Sequence, residues 1–390
     1  MGADGGGVAG DTGEFGGIGV NMALVFDPEW IQGLEARYGR RPSYQQPALY
    51  RVATQPEWAQ ERQKIEHWVS SISAAKQAQV INRLRDPDHF YTTYNELLVG
   101  DLLRQCGHQP EYERPLGGKT PDWFVPSEGD IPAFFVEVAT IFPPEQVAHE
   151  VRLWDELRSR LEQIQHYFHL LIHATPGMSL AGKDMARIVR FVKEWLDSFD
   201  PQVTNQPHEV TYRDGDLCVR FTLVPRKTKN QAPIATGGPV FVWWVNPKRL
   251  RDALRQKLRK YRQAKELEVP LAIALVPTFD SGFGEDDLLD VLFGKEQMTV
   301  YFQNLKIVAT QMGRDKTGIV TPKLQEGQPI VLNTRLSSVL WVRHSHPVGM
   351  KVVHNPYARF PLSPHAFPGF PNLVVVNQDA TPFELGWVKA

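Results

Sequence analysis

The sequence predicts an α/β protein in which helices flank a central mixed sheet. Helical patterns extend over residues 56–84, 91–106 and 144–165. Short apolar runs lie between helical segments, and those at 133–140 and 271–276 are typical of strands buried on both faces. The alternation of helices with apolar strands favours a sheet covered by helices.

Length and composition narrow the class of protein. With 390 residues the chain is long for one domain, which predicts a core with an insertion, or two domains. Lysine and arginine number 43, aspartate and glutamate 44, and the formal net charge is −1. A strongly basic DNA-coating protein is therefore excluded, and any contact with nucleic acid must come from a local basic patch. Two distant cysteines and no apolar run of membrane-spanning length predict a cytoplasmic protein with no membrane contact.

The predicted organisation has five parts. Residues 1–21 form a flexible, glycine-rich tail without the cationic start of a signal peptide, and Met22 is an alternative start. The remaining parts are an N-terminal helical region (22–88), a core in two pieces (89–142 and 241–277), a large α+β insertion (143–240) and a C-terminal region packed on the core (278–390).

Short elements are predicted within these parts. Strands are expected at 109–114 and 122–125, since proline and glycine separate them. The helix at 91–106 is expected to end at Gly107. The further elements predicted are strands at 167–174, 209–212, 217–225 and 241–245 and helices at 183–199 and 247–268.

Two acidic residues on neighbouring predicted strands form a candidate metal site. Asp122 begins one strand, and Glu137 lies 15 residues later in an otherwise apolar strand. Adjacent strands lie about 4.8 Å apart, so carboxylates at paired positions can converge on one Mg²⁺ or Mn²⁺ ion. Taken alone, an aspartate after proline is equally well explained as a turn residue. Glu137 is the stronger signal, because a buried carboxylate is costly unless it is paired or coordinated.

Glu96 is a third acidic candidate. It borders Val99 and Leu103 at the edge of the apolar face of helix 91–106, from which its side chain can reach the end of the sheet. A plain surface glutamate explains the position equally well.

A strongly basic helix follows Pro247. Lys257 lies near the middle of its apolar arc and Lys260 at the edge of that arc. A lysine aimed at the sheet beside two carboxylates suits phosphate chemistry, although a solvated charged face with a snorkelling lysine explains the same pattern. The side chains expected to contact nucleic-acid phosphates are Arg251, Arg255, Arg259, Lys260 and Arg262.

The order of these features resembles the PD-(D/E)XK nuclease superfamily. The resemblance covers 89–142 and 241–277, and segments 90–97 and 354–358 are similar to an uncharacterised bacterial branch of it. It implies a restriction-endonuclease-like core with a central mixed sheet, in which Asp122 and Glu137 bind Mg²⁺ (or Mn²⁺) and Glu96 is an accessory acid.

One position departs from the pattern of the superfamily. The residue two after Glu137, on the same face of the strand, should be a lysine that helps to position the attacking water, but it is Ala139. The superfamily includes members whose lysine has moved to the following helix. Lys257 is the candidate for that role, with Lys260 behind it, and activity depends on this replacement because a preorganised cation is worth orders of magnitude in rate.

The sequence therefore predicts a metal-dependent nuclease acting on DNA, with Asp122, Glu137, Lys257 and Glu96 as catalytic residues. Two alternatives remain open at this point. One is a nuclease-fold protein with an inactive site that binds nucleic acid through the basic helix, and the other is a subunit of a defence or repair complex without direct nucleic-acid contact. Binding of Mg²⁺ or Mn²⁺ distinguishes the enzyme from the first alternative, and binding of DNA at low salt separates both from the second.

Overall fold

Helices form the first part of the described chain. The computed structural model describes residues 25–174, 179–228, 230–237, 246–261, 268–278, 282–303, 306–325, 328–344, 348–377 and 384–390. The predicted tail, the start at Met22 and the predicted strand at 241–245 lie outside these residues. The first helices are α1 (Pro28–Tyr38), α2 (Ala48–Thr54), α3 (Ala59–Ser70), α4 (Ala74–Leu84) and α5 (Phe90–Gln105).

The segment 56–84, predicted as one helix, is divided into two helices. A 3₁₀ turn at Pro56–Trp58 leads into α3, and α4 begins only after a break at residues 71–73. Serine favours such a break because its hydroxyl competes for backbone groups. Here the Ser71 hydroxyl donates to the carbonyl of Trp68 at 2.6 Å. The break lets α3 and α4 each pack against α5.

Helix α5 ends at the predicted glycine. Gly107 has φ +90°, a conformation that favours glycine. Its N–H donates to the carbonyl of Arg104 at 2.8 Å, and the N–H of His108 donates to the carbonyl of Leu103 at 3.2 Å. This pair of bonds is a Schellman motif, which satisfies carbonyls that the helix leaves unpaired.

An eight-stranded mixed sheet lies at the centre of the described residues, which confirms the predicted α/β class. Strands β3 (Phe134–Ile141), β10 (Leu271–Pro277) and β15 (Leu336–Arg343) run parallel in its middle, and antiparallel pairs flank them. Every residue of β10 is buried, as expected for a strand covered on both faces. The spatial order is β1 (Glu111–Tyr112), β2 (Trp123–Val125), β3 (Phe134–Ile141), β10 (Leu271–Pro277), β15 (Leu336–Arg343), β16 (Gly349–His354), β17 (Pro371–Asn377) and β18 (Glu384–Lys389).

Helices cover both faces of this sheet. Successive side chains of a strand point to opposite faces, so the residues of β3 enter two cores. Val136 and Val138 pack with α3, α4 and α5, whereas Phe135 and Ala139 pack with α8 (Lys248–Lys260) and α9 (Glu285–Phe293). Of the helix predicted at 247–268, residues 262–267 lie outside the described part.

The region predicted as an insertion, 143–240, contains an α+β unit with its own hydrophobic core. Helices α6 (Glu145–Glu162) and α7 (Met185–Asp197) pack on a sheet of order β6-β7-β5-β9. The strands of this region are β4 (Gln165–His166), β5 (Phe168–Ala174), β6 (His208–Asp214), β7 (Leu217–Pro225), β8 (Ala232–Pro233) and β9 (Thr236–Gly237).

The C-terminal region does more than pack on the core, because it supplies β15 to β18 of the central sheet. Strand β15 pairs in parallel with β10, although helix α9 and several strands lie between them in sequence. A local sequence pattern cannot predict a pairing between strands so far apart in the chain. The boundary predicted at residue 278 therefore falls between strands of one sheet. The intervening strands are β11 (Glu296–Gln303), β12 (Lys306–Arg314), β13 (Lys323–Gln325) and β14 (Gln328–Ile330).

Among the described residues, no helix combines the length and the apolar character needed to cross a bilayer. Both cysteines, Cys106 and Cys218, are free thiols.

Candidate functional site

The antiparallel pair β2–β3 sets Asp122 opposite Glu137. Its register pairs Trp123 with Val136 and Phe124 with Phe135, so its extension by one residue pairs the two acids. Phe124 and Phe135 belong to the core that α8 covers. Because every second residue of a strand shares a face, Asp122 and Glu137 also face α8.

Lys257 of α8 lies between the two carboxylates. Its Nζ donates to Oε2 of Glu137 at 2.8 Å and to Oδ2 of Asp122 at 3.2 Å. Burial alone would lower the pKa of Lys257, but the charges of Asp122 and Glu137 outweigh it and raise the pKa. The ammonium therefore stays charged at neutral pH and links the two strands to the helix.

Glu137 has no exposed surface, and both oxygens of its carboxylate accept hydrogen bonds. Besides Lys257 at Oε2, Lys260 donates to Oε1 at 2.5 Å and the Tyr261 hydroxyl donates to the same atom. Burial, and then the charge of Glu137, raise the pKa of Tyr261, so its phenol remains a donor. These contacts provide the pairing that a fully buried carboxylate requires.

Backbone groups hold Asp122 in place. The N–H of Val138 donates to Oδ2 of Asp122 at 2.6 Å, and the carbonyl of Asp122 accepts from the N–H of Glu113 at 3.0 Å. Burial raises the pKa of Asp122, an effect that Lys257 opposes and Glu137 reinforces. The Asp122 side chain is 16% exposed. Solvent therefore reaches the Asp122–Glu137 pair at Asp122.

Glu96, predicted as the accessory acid, binds a different cation. Nη2 of Arg83 donates to its two oxygens at 2.8 and 2.9 Å, and the Tyr112 hydroxyl donates to Oε2 at 2.6 Å. Within the described chain, Glu96 makes no hydrogen bond to Asp122, Glu137 or Lys257. Glu96 interacts with Asp122 through charge. Burial, followed by the charge of Asp122, raises the pKa of Glu96 to about 6, although Arg83 acts to lower it.

Ala139, at the position where the resemblance leads us to expect a lysine, packs in the apolar core beneath α8. The ammonium that meets both carboxylates comes instead from Lys257, the predicted replacement. Lys260 reaches only Glu137 and the carbonyl of Thr120, the latter at 2.8 Å. The structure thus brings three of the four predicted catalytic residues together and places Glu96 beside them.

The donor set fits a hard divalent cation. It consists of carboxylate oxygens, which Mg²⁺ and Mn²⁺ prefer, and Mg²⁺ takes one or two protein carboxylates, with water and phosphate completing its shell. Because Lys257 Nζ contacts both carboxylates, an ion held by Asp122 and Glu137 would compete with this ammonium for their oxygens. In the described chain, no group of three or more His, Cys, Asp or Glu side chains converges as a metal site, so the candidate has two protein ligands.

The basic helix presents part of its charge to solvent. Arg255 and Arg259 lie four residues apart on its exposed side, and Arg251 is half-buried. Lys260, expected among these phosphate-binding residues, is turned towards Glu137. Arg262 lies outside the described residues.

Sequence reasoning missed three residues that shape the site. Tyr261 belongs to the apolar arc of the basic helix and lies four residues after Lys257. Since residues four apart share a helix face, this spacing could have identified Tyr261 as a second hydrogen-bond donor beside Lys257. Arg83 and Tyr112 gave no signal, because their roles depend on the packing of α4 and β1 around Glu96.

Comparison with known proteins adds no relative to this picture: no family model matches the chain, and neither a curated protein nor a solved structure matches it.

Proposed function

We propose that the chain is a metal-dependent nuclease of the PD-(D/E)XK type, with a restriction-endonuclease-like core, that hydrolyses phosphodiester bonds in DNA. The observation that supports this most directly is the contact of one ammonium, Lys257, with two carboxylates on adjacent strands. Metal-assisted hydrolysis of a phosphodiester uses anionic ligands for a hard cation and positive charge close to the phosphate. The free thiols Cys106 and Cys218 suit the reducing cytoplasm, where we place the enzyme.

In this proposal Asp122 and Glu137 would hold a Mg²⁺ or Mn²⁺ ion, and the chemistry that such an ion supplies when bound is activation of water and neutralisation of phosphate charge. Tyr261 and Lys260 keep the Glu137 carboxylate in one orientation through its Oε1 atom. The backbone N–H of Val138 does the same for Asp122. The ligands are therefore fixed before the substrate arrives.

Lys257 supplies the mobile charge. Its side chain is 24% exposed, so it can leave the carboxylates and reach a phosphate or a water at the solvent side of the site. A divalent cation held by Asp122 and Glu137 would balance the charge that the two acids lose when Lys257 moves away. Glu96 stays the proposed accessory acid: Arg83 and Tyr112 hold its carboxylate, and burial, followed by the charge of Asp122, raises its pKa.

The exposed side of α8 offers the contact for the DNA backbone. Arg255 and Arg259 project from the same helix that carries Lys257. Each lies two residues from Lys257, which puts it about 160° around the helix from that lysine, so DNA bound along this side would have to pass around α8 for one phosphate to reach the acidic pair. Such contacts position the substrate without reading its sequence.

Cleavage of DNA tests the proposal. Supercoiled plasmid and single-stranded DNA are incubated with purified protein and Mg²⁺ or Mn²⁺, and the variants Asp122→Asn and Glu137→Gln are compared with wild type. These conservative changes should reduce cleavage by about 100-fold or more. Glu128→Gln, an exposed acid between β2 and β3, is the matched control and should cleave like wild type. Equal cleavage by all four proteins refutes the site.

One observation favours a second function, a nucleic-acid-binding protein without catalysis. Every oxygen of Glu137 already has a donor from the chain, so the buried charge is neutralised without a metal. Calorimetric titration decides between the two. Heat on addition of Mn²⁺ that disappears in Asp122→Asn supports the nuclease, whereas salt-sensitive DNA binding without any metal binding supports the second function.

A further inference from the structure

A cavity lies at the carboxyl ends of the parallel strands β3, β10 and β15. Phe142, Thr278 and His344, which directly follow these strands, line it from the sheet, and side chains of α2, α3 and α5 line it from the helices. It encloses about 460 Å³, a volume within the range of small-molecule sites in proteins. Ligands of open α/β sheets commonly bind in the crevice at the carboxyl ends of the strands. The position and size of the cavity therefore suit a small ligand.

Aromatic side chains form much of the wall of this cavity. Trp58, Tyr91 and Phe142 are 39%, 40% and 39% exposed, so part of each ring is uncovered. The rings of Tyr91 and Phe142 meet edge to face with centroids 6.4 Å apart, and those of Tyr94 and His344 are stacked at 5.9 Å. Partly uncovered rings gain from a planar ligand that packs against them.

The charged side chains of the wall differ in how far they are already paired. Glu61 accepts from the Tyr94 hydroxyl at 2.5 Å and from Lys64 at 3.1 Å, so each of its oxygens has a donor. Burial lowers the pKa of His344, in spite of the charge of Glu61, so its imidazole is neutral at pH 7. Arg51 is exposed and makes no side-chain hydrogen bond or ion pair with the residues that the structure describes. The uncompensated charge along the described wall is thus a positive one.

These features together select an aromatic ligand that carries an anion. An organic cation, which aromatic walls also attract, would meet the guanidinium of Arg51 and a carboxylate that is already supplied with donors. A purely apolar ligand would gain nothing from Arg51 and would desolvate the imidazole of His344. A nucleotide combines a planar base, which stacks on aromatic rings, with a phosphate, which arginine can bind through two N–H groups.

We propose that this cavity binds a nucleotide, with its base against Trp58, Tyr91 and Phe142 and its phosphate on Arg51. Two sources supply this chemistry, a free nucleoside monophosphate and a nucleotide within a DNA strand whose base is turned out of the stack. The inference does not rest on the proposed nuclease activity, because the acidic pair is not among the residues that line the cavity.

Fluorescence of 2-aminopurine, a base analogue whose emission falls when it stacks, tests the proposal with EDTA present. The probes are its deoxynucleoside, its deoxynucleoside monophosphate and a single-stranded oligonucleotide that carries it at one position. Wild type should quench the monophosphate and bind it about 10-fold more tightly than the nucleoside, as expected for a hydrogen bond to a charged group. Deoxyribose phosphate, which has no base, should not compete at the same concentration.

Variants separate the two halves of the proposed site. Arg51→Gln should remove the preference for the monophosphate and leave binding of the nucleoside unchanged. Trp58→Ala and Tyr91→Ala should each weaken binding of both probes by about 10-fold, because a stacking ring is lost. Arg40→Gln and Trp387→Ala are the matched controls, since both side chains are exposed and neither lines the cavity, and they should bind like wild type.

The pattern across the probes identifies the source of the nucleotide. Quenching of the monophosphate assigns the cavity to a free nucleotide, whereas quenching confined to the oligonucleotide and lost in Trp58→Ala assigns it to a base of DNA. No quenching of any probe at millimolar concentration overturns the proposal, as does quenching that is unchanged in Trp58→Ala, Tyr91→Ala and Arg51→Gln. Equal, measurable affinities for nucleoside and monophosphate would remove Arg51 from the site and overturn it as well.

Discussion

The Nζ atom of Lys257 lies 2.8 Å from Oε2 of Glu137, a residue 120 positions earlier in the chain. This ion pair connects α8 to the middle of β3, where the neighbouring side chains of the strand are apolar. A buried ion pair of this kind contributes little net stability, but the loss of one partner is severe, because the other charge stays buried. The predictions below use that asymmetry.

Removal of Lys257 should create a dependence on divalent metal. Lys257→Met leaves Asp122 and Glu137 without their shared cation and should lower the free energy of unfolding by about 3 kcal/mol in the presence of EDTA. Mn²⁺ should then raise the melting temperature of the variant more than that of wild type, because the ion restores the missing charge.

The control for this experiment is Lys193→Met, an exposed lysine that pairs with Asp197 on α7. Its melting temperature should match wild type with and without Mn²⁺. If Mn²⁺ shifts Lys257→Met no more than wild type, the carboxylate pair does not bind the ion.

Tyr261→Phe should destabilise the protein through one lost hydrogen bond. Its ring packs on Phe135 with centroids 4.7 Å apart, and this packing remains in the variant. The hydroxyl donates to a charged, buried oxygen of Glu137, so its loss should cost about 1.5–3 kcal/mol in urea unfolding. Tyr301→Phe, whose hydroxyl bonds Gln311 on the exposed β11–β12 pair, should change stability by less than about 0.5 kcal/mol. Equal effects of the two changes would show that Glu137 does not depend on Tyr261.

Glu96 should make stability depend on pH near 6. Burial and the charge of Asp122 raise its pKa from 4.5 to about 6, so the folded protein binds a proton that the unfolded chain releases at lower pH. Its stabilising contribution is therefore fully present below about pH 4.5 and is lost as pH rises through about 6. Glu96→Gln removes this titration while it keeps a side chain that can accept from Arg83 and Tyr112.

Chemical unfolding of wild type and Glu96→Gln between pH 4 and 7.5 measures this effect. The stability of wild type relative to the variant should fall as pH rises across that interval. A constant difference would mean that folding does not shift the pKa of Glu96, and a difference that increases with pH would mean that folding lowers this pKa; either result contradicts the prediction.

The exposed arginines of α8 should set the salt dependence of DNA binding. Each phosphate contact contributes about 0.9 to the slope of log affinity against log salt, so Arg255→Gln/Arg259→Gln should reduce the slope by roughly 2 and weaken binding. Fluorescence anisotropy across a salt series gives the slope directly. Arg187→Gln/Arg190→Gln on α7 removes the same charge from another exposed helix and should leave the slope unchanged. Equal slopes in both double variants would remove α8 from the DNA-binding surface.

The sequence predicted those parts of the site that depend on local geometry. Asp122 and Glu137 were paired because a short turn separates their strands, and the position of Lys257 followed from helical periodicity alone. The environment of Glu96 could not be predicted, since Arg83 approaches from another helix and Tyr112 from another strand. The sequence analysis predicted no strand at residues 336–343, although 339–342 form an apolar run, and the place of this strand beside β10 depends on a pairing across α9 and several strands.

The close contact between Gly100 and Trp123 has a consequence for the whole acidic pair. A methyl group at position 100 would come within 2.1 Å of the Trp123 ring, and the indole N–H also donates to the carbonyl of Glu96 at 2.7 Å. Asp122 is the residue next to Trp123. The contacts of α5 with Trp123 therefore help to position the backbone that carries this acid. A larger side chain at position 100 would displace Trp123 and, with it, the backbone that carries Asp122, so the geometry of the acidic pair depends on an uncharged residue in another element.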